Sequence, residues 1–149
     1  NDLASAYFYV DSTKEAYYFF EEVLKIDNYN LTALNNYSYY LSISGGDLDK
    51  AEQMSRKTIE IDPLNSTYLD TYAWILFKKK NYSESLFIME RAIDNLKRDE
   101  GLMEIYDHYG DILYMTGQVD KAVEFWNKAF DESQSDIIKQ KIDAKKIIE

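Results

Sequence analysis

The stretch YDHYGDILYMTGQVDKAVEFWNKA, Tyr106 to Ala129, decides the fold of this chain. It contains two amphipathic segments whose apolar residues recur every three or four positions, as they do on one face of a helix. A tight turn at Met115 to Gln118 joins the two segments. Small residues stand where two helices would approach each other closely, at Gly110, Ala122 and Ala129. We therefore predict a helix-turn-helix hairpin for this stretch.

The same hairpin pattern recurs along the chain. A small residue stands early in the second helix of each unit, at Ala16, Ala51, Ser85 and Ala122, with successive spacings of 35, 34 and 37 residues. The Asp62-Pro63 pair ends one helix, because a proline ring disfavours helical geometry in the preceding residue. Each hairpin leaves one apolar face uncovered, so stacking on the next hairpin is expected to complete the core.

The period and the residues that recur with it resemble the tetratricopeptide repeat family, whose unit is written W-x2-L-G-x2-Y, then A-x3-F, then A and P. The two best copies are Tyr106-x2-Tyr109-Gly110-x2-Leu113 with Ala122-x3-Trp126-x2-Ala129, and Leu69-x2-Tyr72-Ala73-x2-Leu76 with Ser85-x3-Met89-x2-Ala92. A more degenerate copy runs from Leu34 to Pro63. The first copy lacks its beginning and retains Leu3-Ala4-x2-Tyr7 with Ala16-x3-Phe20.

This resemblance implies an all-α, right-handed superhelix, or solenoid, in a single domain. The implied repeats lie at about 1–28, 31–63, 66–97 and 103–134. Three additional residues at about Asp99 to Gly101 predict a local irregularity before the last repeat.

The remaining segment, Ser135 to Glu149, is expected to form a helix that caps the stack. Its apolar residues cover more than half of a helical wheel. Two interpretations stand: a cap packed on Phe125 and Phe130, or a surface that also meets a partner or another copy of the chain. Its lysines, Lys139, Lys141, Lys145 and Lys146, are predicted to form a solvated face.

The composition argues against several classes of function. The chain has 149 residues and a formal net charge of -10, whereas nucleic-acid binding depends on clustered cations. It has no Cys, which excludes disulfides, thiolate metal sites and Cys nucleophiles. No apolar run approaches the roughly 18 to 20 residues of a membrane span. The chain begins Asn-Asp-Leu without Met, so an upstream signal peptide or lipid anchor stays open.

The first helix of each hairpin is expected to line the concave surface of the stack, so its exposed side chains are where a partner would bind. The predicted groove residues are Asn35 and Tyr39; Thr67, Asp70, Trp74, Phe77 and Lys78; and Glu104, Asp107, Asp111 and Tyr114. Trp74 is the expected centre, either as an exposed anchor for a partner side chain or, alternatively, packed with Tyr39 against a neighbouring first helix. The acidic residues favour a basic or uncharged partner.

His108 is the single histidine, and it lies within three or four residues of Glu104 and Asp111 on one predicted helix. Two or three ligands on one helical face make a poor metal site, and a histidine bonded to a neighbour is commoner. We therefore predict no metal, no cofactor and no catalytic group, and interpret His108 as part of the groove wall.

The sequence thus predicts a non-enzymatic module that binds a peptide or helix of a partner protein in the concave groove. The alternative is a scaffold that self-associates through its terminal repeat or its C-terminal helix. The strings Leu69 to Trp74 and His108 to Asp111 resemble bacterial, envelope-associated or scaffold tetratricopeptide proteins, which favours the cell envelope or periplasm over the cytoplasm.

Overall fold

A computed structural model describes residues 13–97 and 101–148 of the chain. These residues form eight helices. The helices are α1 (Thr13–Ile26), α2 (Leu31–Ile43), α3 (Leu48–Ile61), α4 (Ser66–Lys78), α5 (Tyr82–Asp94), α6 (Leu102–Met115), α7 (Val119–Ser133) and α8 (Asp136–Ala144). The predicted opening of the first repeat, Leu3 to Tyr7, and most of the insertion at Asp99 to Gly101 lie outside the described residues.

The helices begin and end where the local sequence dictates. Four of them begin after a residue whose side chain accepts a hydrogen bond from an N–H group three positions on, which satisfies one of the unpaired donors of the first turn. These residues are Asn30, Asp47, Asn65 and Ser135. Helix α3 ends at Ile61, since the residue before Pro63 takes a non-helical φ of -129° and ψ of 75°.

Helices α2 and α3, α4 and α5, and α6 and α7 form three hairpins. In the last hairpin the backbone of α6 lies directly against Trp126 of α7. A Cβ atom built on Gly110 would lie 2.3 Å from Cδ1 of Trp126. Ala122 and Ala129 are fully buried. The predicted close approach of the two helices is confirmed.

Helix α4 joins the two halves of the core. Its Ile75 belongs to the apolar cluster formed with α1, α2 and α3. Its Leu69, Ala73 and Leu76 belong to the cluster formed with α5, α6 and α7. The hairpins therefore share one continuous stack rather than forming separate cores.

A tyrosine at the same position of α2, α4 and α6 contacts the second helix of the preceding repeat. The hydroxyl groups of these tyrosines contact charged side chains, which adds polar contacts across the repeat junctions. The contacts are Tyr37 Oη to Glu21 Oε1 (2.7 Å), Arg56 Nε to Tyr72 Oη (3.4 Å) and Tyr109 Oη to Glu90 Oε2 (3.3 Å).

Helix α8 covers the end of the stack, as the predicted cap would, but it is shorter than predicted. It ends at Ala144, because Lys145 takes a left-handed φ of 55°. Ile138 is buried in the cluster that contains Phe125, and Ile142 packs against that cluster. Ile137 is 54% exposed. Most of the apolar surface of α8 is therefore used within the chain.

Candidate protein-interaction surface

The predicted groove residues do not all reach solvent. Lys78, Glu104 and Thr67 are exposed, while Tyr39, Phe77, Asp107 and Tyr114 are partly buried. Asn35, Asp70, Trp74 and Asp111 are buried. The expectation that these four side chains are exposed to a partner is wrong. His108 of α6 contacts Asp70 and Trp74, and Lys141 of α8 contacts Asp111.

Trp74 lies inside a stack of rings instead of at the centre of an open groove. It is 8% exposed. Its ring centroid lies 4.7 Å from that of Phe77 and 3.9 Å from that of His108, at interplanar angles of 11° and 16°. The Tyr39 ring lies 6.1 Å from His108, and Lys78 Nζ lies 5.2 Å from the Trp74 ring. The structure thus agrees with the alternative interpretation, in which Trp74 packs against its neighbours.

His108 is bonded to a neighbouring repeat. Its Nδ1 lies 2.8 Å from Oδ1 of Asp70 on α4, and both side chains are buried. The sequence predicted a bonded histidine but not this partner, because Asp70 is 38 residues away along the chain. Burial alone would lower the pKa of His108, but Asp70, together with Asp107 and Asp111, raises it above its ordinary value of 6.5. The site therefore favours the imidazolium form.

Lys141 of α8 neutralises the acidic end of the inner surface. It is 4% exposed, and its Nζ lies 2.8 Å from Oδ1 of Asp107 and 3.0 Å from Oδ1 of Asp111. Trp126 Nε1 also donates a hydrogen bond to Asp111 Oδ1, at 3.0 Å. The prediction that Lys141 lies on a solvated face is therefore wrong.

Burial and the neighbouring charges have opposing effects on the pKa values of Lys141 and Asp111. Burial alone would lower the pKa of Lys141, but Asp111 and Asp107 raise it above its ordinary value. Burial raises the pKa of Asp111, and Lys141 offsets only part of that effect. Asp107 and Asp111 are thus occupied by the chain's own lysine, so they are poorly placed to attract a basic partner.

An accessible cleft lies beside the aromatic stack, near the C-terminal ends of α4 and α6. It has a volume of about 550 Å³. Its lining residues are Phe77, Tyr82, Tyr114, Met115, Lys146, Ile147 and Ile148. We call this feature the aromatic cleft.

The sequence predicted two residues of the aromatic cleft, Phe77 and Tyr114, but not Met115 or Tyr82. Met115 stands at the same repeat position as Lys78, a predicted groove residue, so this equivalence was the available signal. Tyr82 begins a second helix, and nothing in its local pattern distinguishes it.

The described residues contain no group of three or more His, Cys, Asp or Glu side chains that could hold a metal ion. In the same part of the chain, no helix has the length and apolar character that crossing a membrane requires.

No protein-family model matches the sequence. Solved structures of low sequence identity match its fold. PilF of Pseudomonas aeruginosa superposes with a TM-score of 0.79 at 16% identity, over 97% of this chain and 64% of PilF. A tetratricopeptide repeat protein from Parabacteroides merdae gives 0.76 at 23% identity, over 95% and 55% of the two chains. YrrB, described as a tetratricopeptide repeat protein with an unusual peptide-binding site, gives 0.65 at 18% identity, over 91% and 68%.

These similarities show that the chain has the tetratricopeptide repeat fold, an all-α superhelix of helical hairpins. The fold predicted from the sequence is confirmed. The chain spans 64% of PilF and 55% of the Parabacteroides protein, so each of these proteins is considerably longer than the part that matches.

Proposed function

We propose that this chain is a non-enzymatic protein-interaction module that binds an extended segment or helix of a partner protein in the aromatic cleft. The observation that carries the proposal is the contrast within the inner surface. Its middle is filled by Trp74, His108 and Asp70, whereas Phe77 and Tyr114 border open space. The fold supports the proposal too, since similar proteins include YrrB, whose description names a peptide-binding site.

The cleft would bind a partner through apolar contacts. Phe77 and Tyr82 meet edge to face, with ring centroids 5.4 Å apart at 61°, and they present ring surface next to the flexible thioether of Met115. Such surfaces accommodate aliphatic and aromatic side chains. A few contacts of this kind give affinities of about micromolar, or roughly -8 kcal/mol.

A peptide library displayed on phage and selected on the immobilised chain supplies a probe, because the natural partner is unidentified. The selected peptides are then titrated against Met115→Lys and against Ile43→Lys as a matched control. Met115 and Ile43 occupy the same repeat position and are each 40% exposed, but Ile43 does not line the cleft. We expect Met115→Lys to weaken binding at least about tenfold, or roughly 1.4 kcal/mol, and Ile43→Lys to leave it unchanged.

Equal loss in the two variants, or no loss in either, would place the binding surface elsewhere and overturn the proposal. A selection that enriches no peptide sequence would also count against a peptide-binding cleft. Circular dichroism of both variants checks that the helices remain folded.

Self-association through the C-terminal helix stays a prediction, and little exposed apolar surface on α8 supports it. Ile138 and Ile142 of α8 pack within the chain, which leaves Ile137 as the exposed isoleucine of that helix. Light scattering at several concentrations measures it directly, and a concentration-dependent mass would favour the scaffold alternative. The envelope or periplasmic location also stays a prediction.

A further inference from the structure

The segment Lys145–Ile148, which we call the tail, forms one wall of the aromatic cleft. Helix α8 ends at Ala144, because Lys145 takes a left-handed conformation with φ 55° and ψ 42°. Beyond the helix end, Lys146, Ile147 and Ile148 line the cleft together with its aromatic residues. The chain thus places two of its own aliphatic side chains at the surface proposed to bind a partner.

The tail is held weakly. The N–H groups of Lys145 and Lys146 both donate to the carbonyl oxygen of Lys141, which closes the end of α8. Beyond that point, no hydrogen bond or ion pair within the described residues fixes Ile147 or Ile148. Ile147 packs against the core, and both isoleucines remain partly exposed. A segment attached by a few apolar contacts opens at low free-energy cost.

The backbone of the turn also disfavours the docked tail. A left-handed conformation is unfavourable for residues other than glycine, because Cβ approaches the following carbonyl oxygen. Position 145 follows the end of a helix, where glycine is the usual residue, but here it is occupied by lysine. The observed turn is therefore less favourable with lysine at position 145 than it would be with glycine.

The charge distribution indicates what could replace the tail. Among the described residues that line the aromatic cleft, the charged one is Lys146, which belongs to the tail itself. Once the tail leaves, the remaining lining residues, Phe77, Tyr82, Tyr114 and Met115, carry no carboxylate to pair with a basic side chain. The uncovered cleft suits an apolar segment better than a cationic one.

We propose that the tail is a tethered ligand of the aromatic cleft, and that the partner carries two neighbouring aliphatic residues that take the places of Ile147 and Ile148. This inference rests on the proposed function, because it assigns the same cleft to the partner. It adds that the partner segment is aliphatic. It also adds that the tail competes with that segment and lowers the segment's apparent affinity.

The covalent connection between α8 and the tail determines how much the tail weakens the binding of an external peptide. A short flexible connection holds a ligand at an effective concentration of roughly 1 mM. If the free segment binds with a Kd of about 100 μM, the docked tail outnumbers the open one by about tenfold. An external peptide would then bind about tenfold more weakly than it would to a chain whose tail is permanently open.

The test uses a fluorescently labelled peptide with the sequence of residues 144–149, AKKIIE, titrated against the full chain by fluorescence polarisation. Two substitutions of Lys145 change the turn in opposite directions without altering a residue that lines the cleft. Lys145→Val disfavours the left-handed turn, and we expect binding up to about tenfold tighter than wild type. Lys145→Gly favours the turn, and we expect binding several-fold weaker.

A second peptide, with both isoleucines replaced by serine, serves as the control and is expected not to bind any of the three chains. The tethered-ligand inference fails if all three bind AKKIIE with equal affinity, or if the peptide does not bind even Lys145→Val. Equal binding of the serine peptide would refute the requirement for aliphatic residues.

Failure of this inference can be distinguished from failure of the proposed function. If Met115→Lys abolishes binding of library-selected peptides while the Lys145 variants bind them alike, the cleft is the binding site and the tail does not compete. If Met115→Lys binds those peptides as wild type does, the proposed cleft and the tethered ligand are both wrong.

Discussion

Trp74 and Phe77 lie one helical turn apart on α4, and their rings stack 4.7 Å apart, but their surroundings differ. The outer face of the Trp74 ring is covered by His108, which is bonded to Asp70. Phe77 faces the aromatic cleft beside Tyr114. Two aromatic residues on the same helix therefore have different surroundings: Trp74 contacts the adjacent repeat, and Phe77 borders the open cleft.

The largest expected effect concerns a buried cluster that we call the sealed region: Asp70, Trp74, His108, Asp111 and Lys141. Replacing Lys141 by Ala leaves Asp107 and Asp111 without their cation, one of them deeply buried. Removing one partner of a buried ion pair costs about 3 to 5 kcal/mol of unfolding free energy. Urea denaturation measures the loss, and Lys145→Ala, which removes an exposed lysine four residues away, should change stability by less than about 0.5 kcal/mol. Equal effects of the two substitutions would mean that Lys141 is solvated after all.

A smaller loss is expected at the contact between α6 and Trp126. A methyl group at Gly110 would overlap the indole ring, and overpacking of this kind costs about 1 to 3 kcal/mol. Gly101→Ala is the matched control, since a Cβ atom there would meet nothing within 4 Å. Thermal unfolding of the two variants compares them. If Gly110→Ala is at least as stable as wild type, the close packing of this hairpin is not what the structure shows.

The pH dependence of stability tests the sealed region through the protonation of His108. The folded-state pKa of His108 is raised above its unfolded value of about 6.5 by Asp70, Asp107 and Asp111, after the opposing effect of burial. The stabilisation by protonated His108 is therefore fully present below pH 6.5 and is lost as pH rises through the folded pKa. The unfolding midpoint should fall as pH rises from 6 to 9, and His108→Gln should flatten this dependence. A profile that is the same in both chains would show that folding leaves the pKa of His108 unchanged, which would contradict the raised pKa.

The smallest effect is expected at an ion pair on the surface. Lys50 pairs with Glu21 across a repeat junction, but both side chains are 43% exposed. Solvated pairs of this kind contribute about 0 to 1 kcal/mol, so Lys50→Ala should cost far less than Lys141→Ala in the same urea series. A comparable cost would show that burial does not separate the two lysines energetically.

The sequence predicted the fold well, because the fold depends on features that repeat. Small residues such as Ala122 and the stop before Pro63 act within one hairpin or between neighbours, and local patterns record them. The inner-surface position of Phe77 and Tyr114 followed from the same register.

The burial of the groove centre could not be predicted in this way. It depends on pairs that lie far apart in sequence, Asp70 with His108 and Asp111 with Lys141. A helical wheel assigns Lys141 to an exposed lysine-rich face, since it contains no information about which charges a neighbouring helix presents. The tail was missed because the periodic apolar pattern continues beyond the helix end at Ala144.

The most direct test compares the peptide affinities of two variants with substitutions on α4, one in the sealed region and one in the aromatic cleft. Library-selected peptides are titrated against Phe77→Ala and Trp74→Leu, under conditions where circular dichroism shows both to be folded. We predict that Phe77→Ala weakens binding by at least about tenfold, or roughly 1.4 kcal/mol, whereas Trp74→Leu lowers stability but changes affinity by less than about threefold. The opposite result, with binding lost in Trp74→Leu and kept in Phe77→Ala, would contradict the account and restore Trp74 as the anchor.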